Sequence, residues 1–322
     1  MTKMNRTVMA AVVAAVFILA FVAGPALAAE QKYEEKFSKT EALAKNGKLY
    51  LSNVSGQIDV AVYKEAQVKI EAVKTSKADT LEKAKENAAK VTIEVTKDGD
   101  AVRVETKYPK QTGGFWGGGD KLSVSVNYKV WVPDAAAVEL KSVSGDVNVA
   151  ALGGQAKVDC VSGNVKLLGA AGAYIKLVSG DLEIEGIAGD TFIKAVSGDI
   201  TATRIKGSVE ADAVSGDIDL LDVSGAKSVD VKTVSGDVTY VGSLEAGGRY
   251  EFKTYSGDVR MTIPAGTGFD LEVNTYSGTI DADFEITTSG RISNKEIRGT
   301  VGKGGATVVL KSFSGNVDLK KK

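Results

Sequence analysis

"KSVSGDVNV" (141–149) holds a turn-like tetrapeptide that recurs, with small changes, down the chain, and its reading decides the fold. Ten Ser-Gly pairs preceded by Val, Tyr or Phe place their glycines at 56, 145, 163, 180, 198, 216, 236, 257, 278 and 315. From 145 to 278 the spacings are 18, 17, 18, 18, 20, 21 and 21 residues. A period in this range marks a repeat architecture rather than a set of independent turns.

Four columns counted from that glycine are apolar in every repeat. Five residues before it stand Leu51, Leu140, Val158, Ile175, Ile193, Ala211, Val231, Phe252, Val273 and Leu310. Two before it stand Val54, Val143, Val161, Val178, Val196, Val214, Val234, Tyr255, Tyr276 and Phe313. The columns two and four after it begin Ile58, Val147, Val165 and Val60, Val149, Leu167. The last two alternate with polar residues, the period of a strand with one buried face. Two short strands therefore flank each corner. A repeat this short cannot bury its own face, so all four columns are expected to stack on their counterparts in neighbouring repeats. The expected fold is all-β: a single-chain parallel β-helix, or β-solenoid, of about ten coils. An antiparallel meander with Gly-Asp hairpin turns is the alternative, and it explains the glycine but not the column identity.

The corner glycines Gly145, Gly163, Gly180, Gly198, Gly216, Gly236 and Gly257 supply a positive φ that a side chain would oppose. The residue after each is Asp or Asn in most repeats. Asp181, Asp199, Asp217 and Asp237 form a row that serves either as solvated turn residues or as a calcium edge, since calcium takes carboxylate oxygens. No other cofactor is expected. Cys160 is the single cysteine, so no intrachain disulfide forms, and its place in the repeat faces inward.

The first 28 residues read as a secretory signal peptide: Lys3 and Arg6, an apolar run from Val8 to about Val22, then Pro25-Ala26-Leu27-Ala28. An uncleaved membrane anchor is the alternative reading, and no later stretch is long enough to span a bilayer. The chain is thus expected to be exported, to the periplasm, the envelope or the exterior. Without the signal it carries 38 basic and 41 acidic residues, and so lacks the basic balance that nucleic-acid binding requires.

Residues 29–46 are a lead-in and 47–322 the solenoid, interrupted twice. Within 64–137 the period fails, and these residues are expected to cap the N-terminal end. "KADTLEKAKENAAK" (77–90) reads as a helix with Leu81, Ala84 and Ala88 on one face and Asp79 or Ser76 as its cap. "VTIEVTKDGDAVRVETKY" (91–108) reads as a hairpin about Asp98-Gly99-Asp100, and Trp131 falls in an alternating strand as a core residue. "TGGFWGGGD" (112–120) sets Phe115 and Trp116 among glycines, where the rings either fold over the core or stack on a ligand. Residues 286–305 are expected to form an irregular coil or a hairpin.

The opening "KLYLSNVSGQIDV" (48–60), "VWVP" (130–133) with "VELKSVSGDVNV" (138–149), the Ser-Gly ladder and "GTVGKGGATVVLKSFSGNVDL" (299–319) resemble a bacterial family of β-strand-repeat proteins grouped with adhesins. That family is related to the head domain of auto-transporter adhesins. The resemblance covers nearly the whole mature chain. It implies a β-helix of secreted or envelope-associated proteins and brings no catalytic residues. The chain shows no auto-transporter barrel or cell-wall sorting tail.

Absence of histidine excludes Ser-His-Asp and Cys-His catalysis and His-ligated zinc. No phosphate-cradling loop of the Gly-x-x-x-x-Gly-Lys-Ser/Thr form occurs. A uniform repeat suits a non-enzymatic scaffold recognising a cell-envelope polysaccharide or a surface protein. A polysaccharide lyase or hydrolase on the β-helix is one alternative. Self-assembly through open solenoid ends is another.

Overall fold

The computed structural model describes residues 30–109, 122–288, 293 and 295–322. Strands before each corner, such as Ala137–Ser144, Gln155–Ser162 and Gly172–Ser179, pair in parallel and in register within one sheet. Strands after each corner, such as Val147–Ala150, Val165–Ala170 and Leu182–Ile187, do the same in a second. The two strands flanking a corner thus lie in different sheets, which replaces the meander with a parallel, solenoid-like fold. Leu140 lies beside Val158, Val158 beside Ile175, and Ile175 beside Ile193. Among the described residues the sheets contain 14 and 13 strands.

The inward columns are those five before and two and four after the glycine, together with a column three before it that is mixed in character. Ser142, Cys160, Leu177, Ala195, Thr254 and Ser312 belong to this fourth column, and all are buried. Ser142 Oγ donates to the Gly145 carbonyl at 3.1 Å, and Ser312 Oγ to the Gly257 carbonyl at 2.9 Å. Small hydroxyl residues in this column therefore donate to part-buried corner carbonyls. Cys160 sits there as a small buried group, its thiol pushed up in pKa by burial. Toward the C-terminal end the repeats lengthen, and the core becomes aromatic. Tyr240 packs on Phe252 and Tyr250 at ring distances of 5.1 and 6.1 Å.

The strand order differs from chain order at both ends. Lys48–Ser55 lies between Ala101–Lys107 and Ala137–Ser144, and Ala306–Ser314 lies between Arg249–Ser256 and Phe269–Thr275. Residues 64–137 contain the helix Leu81–Ala89, the antiparallel hairpin Thr92–Asp98 with Ala101–Lys107, and Ser123–Pro133. The lead-in is the strand Gln31–Ala42, antiparallel to Gln67–Ala78. At the other end Glu296–Val301 runs antiparallel to Phe269–Thr275 and to Ile286–Thr288.

Three local expectations need correction. Thr80 caps the helix, accepting from Lys83 N at 3.2 Å, in place of Asp79 or Ser76. Leu81 is exposed while Ala84 and Ala88 are buried, because the helix rests on its alanine face. Trp131 points outward between Lys69 and Lys129, since inward parity on its strand belongs to Tyr128, Val130 and Val132.

Candidate functional site

The corner is built by two coupled ladders. Gly145, Gly163, Gly180, Gly198, Gly216, Gly236 and Gly257 have φ between 119° and 145°. A Cβ on any of them would come closer than 3.0 Å to the corner carbonyl of the preceding coil. Steric exclusion, beyond conformation, therefore fixes glycine here. The column six residues later is the contrast: its left-handed backbone is carried by Ala151, Arg204 and Asp222 as well as by Gly169 and Gly186.

The acidic row is the second ladder. Asp181 Oδ1 accepts the Asp199 backbone N–H at 3.1 Å, Asp199 Oδ1 that of Asp217 at 2.9 Å, and Asp217 Oδ1 that of Asp237 at 2.8 Å. Asn164 and Asn316 make the same bond where they replace Asp. Each side chain thus ties its corner to the next, which an Asn amide oxygen does as well as a carboxylate. Arg260 engages the second oxygens of Asp237 and Asp258, each at 2.7 Å. Burial raises the Asp237 pKa, but the Asp258 N–H and Arg260 outweigh it and hold the carboxyl below its ordinary value. Among the described residues no three acidic or thiol side chains converge in a metal-binding group.

The column two before the glycine is the main correction to the sequence reading. It stacks, but on the outside. Val143 is 48% exposed, Val196 46% and Tyr276 72%. Positions five and two before the glycine differ by an odd number, so in a strand of period two they face opposite sides. In spatial order the line runs Val54, Val143, Val161, Val178, Val196, Val214, Val234, Tyr255, Phe313, Tyr276. Ten strands at ~4.8 Å spacing make it about 43 Å long. Among the described residues, every exposed large apolar side chain except Leu81 belongs to it.

At its C-terminal end Phe313 stacks between Tyr255 and Tyr276, at centroid distances of 4.7 and 4.9 Å with planes 4° apart. Beside these rings lies a shallow cleft of about 390 Å³ lined by Lys232, Lys253, Lys311 and Asn274, with the strand residues Thr233, Thr254 and Ser312 at its floor. Lys232 pairs with Asp230 at 2.7 Å and Lys311 with Glu272 at 2.8 Å, while Lys253 pairs with Glu251. The Lys311 bond holds Glu272 below its ordinary pKa, and the Asp230 bond raises that of Lys232. On the other sheet a groove of about 560 Å³ contains Asp146, Asp181, Asp199, Glu183 and Glu185. Lys166 binds Glu183 at 2.8 Å and Arg204 binds Glu185, so these two glutamates are already paired.

The structure therefore gathers the corner glycines and the Asp row into one scaffold. Phe115 and Trp116 lie outside the described residues. Sequence reasoning missed the outward face of the apolar column and the lysines beside it; strict strand parity is the signal that finds both.

A model of the Toastrack DUF4097 family matches residues 48–320, from the first corner strand to the last. The chain belongs to this family. No curated protein matches this Toastrack chain. Solved structures similar to it include a putative adhesin from Parabacteroides distasonis, 14% identical over 89% of this chain and 97% of that one, TM-score 0.40. A putative lipid binding protein from the same species is 12% identical over 89% and 96%, TM-score 0.43. A putative adhesin from Bacteroides fragilis is 11% identical over 89% and 97%, TM-score 0.35. No helix among the described residues is long and apolar enough to cross a membrane.

Proposed function

We propose that this Toastrack protein is a non-enzymatic, adhesin-like binding scaffold, exported to the envelope or exterior, whose apolar corner edge is its contact surface. The observation that carries this is that, among the described residues, every exposed large apolar side chain but Leu81 lies on one line. Contiguous exposed apolar surface marks interaction sites, and a solenoid offers it to a partner that repeats or extends, such as a polysaccharide or the surface of a protein. Core packing does not require these side chains, because the buried columns are filled independently of them.

The Phe115 and Trp116 loop is a second contact in this proposal, and the Asp181, Asp199, Asp217 and Asp237 row a place where calcium would act. The test is binding of residues 29–322 to arrays of bacterial and host glycans and surface proteins, with and without calcium. It is run beside Trp116→Ala and the triple variant Val178→Ser, Val196→Ser, Val214→Ser. Loss of binding in the triple variant with an unchanged melting temperature supports the edge. Binding lost only in Trp116→Ala, or only without calcium, moves the contact to the loop or the Asp row.

A further inference from the structure

The C-terminal end of the edge differs chemically from the rest. Lys232, Lys253 and Lys311 occupy the same position in three adjacent coils, four residues before the glycine, and are aligned strand to strand. The row is bounded on both sides: Asp212 precedes Lys232 in register, and Asn274 follows Lys311. No carboxylate lines the cleft they share with the aromatic stack. Their acidic partners Asp230, Glu251 and Glu272 lie two residues farther from the rings, the first two on the same strands and Glu272 on the strand beside that of Lys311.

We propose that this cleft binds a linear polyuronate, a polysaccharide with one carboxylate on every sugar, through its row of lysines. The proposal rests on the reading of the edge as a contact surface and names the partner class at one end of it. The three lysines rise from strands one spacing, ~4.8 Å, apart. An extended 1,4-linked uronate chain advances by a similar distance with each sugar and turns its carboxylates to successive sides, so the lysine row meets those that face it. The aromatic wall complements this arrangement. Its rings stack along the solenoid axis and present their electropositive edges to the cleft, with the Tyr255 and Tyr276 hydroxyls as donors or acceptors for sugar oxygens. The cleft volume, about 390 Å³, is within the usual range for ligand sites.

Calorimetric titration of the full mature chain tests this with trigalacturonate, hexagalacturonate, methyl-esterified trigalacturonate, maltotriose and phosphatidylglycerol vesicles. The acidic trimer and hexamer are expected to bind, more weakly as salt rises, and the ester and maltotriose at least about tenfold more weakly. Lys253→Gln with Lys311→Gln should weaken trimer binding by about tenfold, the effect of two exposed ion pairs of ordinary strength. The Val178→Ser, Val196→Ser, Val214→Ser variant should bind the trimer as the native chain does. Equal binding of maltotriose, or full binding by the double Gln variant, overturns the proposal. Binding to vesicles but not to uronates overturns it in favour of an anionic membrane. These outcomes are separate from failure of the edge reading, which the triple valine variant reports through its own array ligands.

Discussion

Gly198→Ala isolates the steric role of the corner. Gly198 has φ +119°, and a Cβ there would overlap the Gly180 carbonyl oxygen of the preceding coil. A side chain in such a backbone conformation costs about 1–3 kcal/mol. Relief of the overlap requires the two coils to part locally, stretching Gly180 N–H to Ser197 O (3.2 Å) and Asp199 N–H to Asp181 Oδ1 (3.1 Å). At about 1 kcal/mol for each bond the total reaches about 3–5 kcal/mol. Gly186→Ala is the matched control: φ is +74°, and the nearest atom to a new Cβ is 4.0 Å away. That column already tolerates Ala151, so the cost is the left-handed backbone alone, about 1–2 kcal/mol. Urea unfolding of both variants, followed by far-ultraviolet circular dichroism, compares midpoints at a common slope. Gly198→Ala should lose about 2–3 kcal/mol more than Gly186→Ala. Equal losses would refute steric exclusion and leave only conformational preference.

Asp217→Asn should leave stability within about 0.5 kcal/mol, whereas Asp217→Ala, which removes the acceptor for the Asp237 N–H, should cost about 1 kcal/mol in the same assay. Val196→Ser should change stability little because Val196 faces solvent, while Ile193→Ala, fully buried three residues earlier, should cost about 2–5 kcal/mol. Acid should destabilise the fold through Glu139, whose pKa is lowered first by its hydrogen bond to Lys48, and through Glu272, lowered first by Lys311. Both are depressed on folding, so their contribution is complete above the ordinary value of 4.5 and is lost as pH falls through the lower folded value. Melting temperature measured against pH should therefore decline below that value, and Glu139→Gln with Glu272→Gln should flatten part of the decline.

The parallel solenoid was legible because its cause is periodic. Leu140, Val158, Ile175 and Ile193 repeat at the spacing that their stacking demands, and the glycine between the strands repeats with them. Val143 and its equivalents misled because being apolar and regular does not fix a side. Only their odd offset from Leu140 does. Ser142 and Thr254 escaped notice for the converse reason: they are buried but polar, and what holds them inside is the hydrogen bond each makes to a corner carbonyl. The coil order at the ends was not legible either. Nothing in the local pattern of Lys48–Ser55 or Ala306–Ser314 says that each lies one strand in from a neighbour distant in the chain. Likewise, the lysine row beside the aromatic stack emerges only when the Arg249–Ser256 and Ala306–Ser314 strands are adjacent.

Hydroxyl-radical footprinting of the full mature chain, free and saturated with the ligand that the arrays select, tests the contact edge most directly. In the free protein Val178, Val196, Val214, Tyr255, Tyr276 and Phe313 should be oxidised readily, and the bound ligand should protect a contiguous run of them. Unchanged oxidation along the line, with protection on the other sheet around Lys166 and Glu183 or elsewhere, would contradict the assignment of the corner edge as the binding surface.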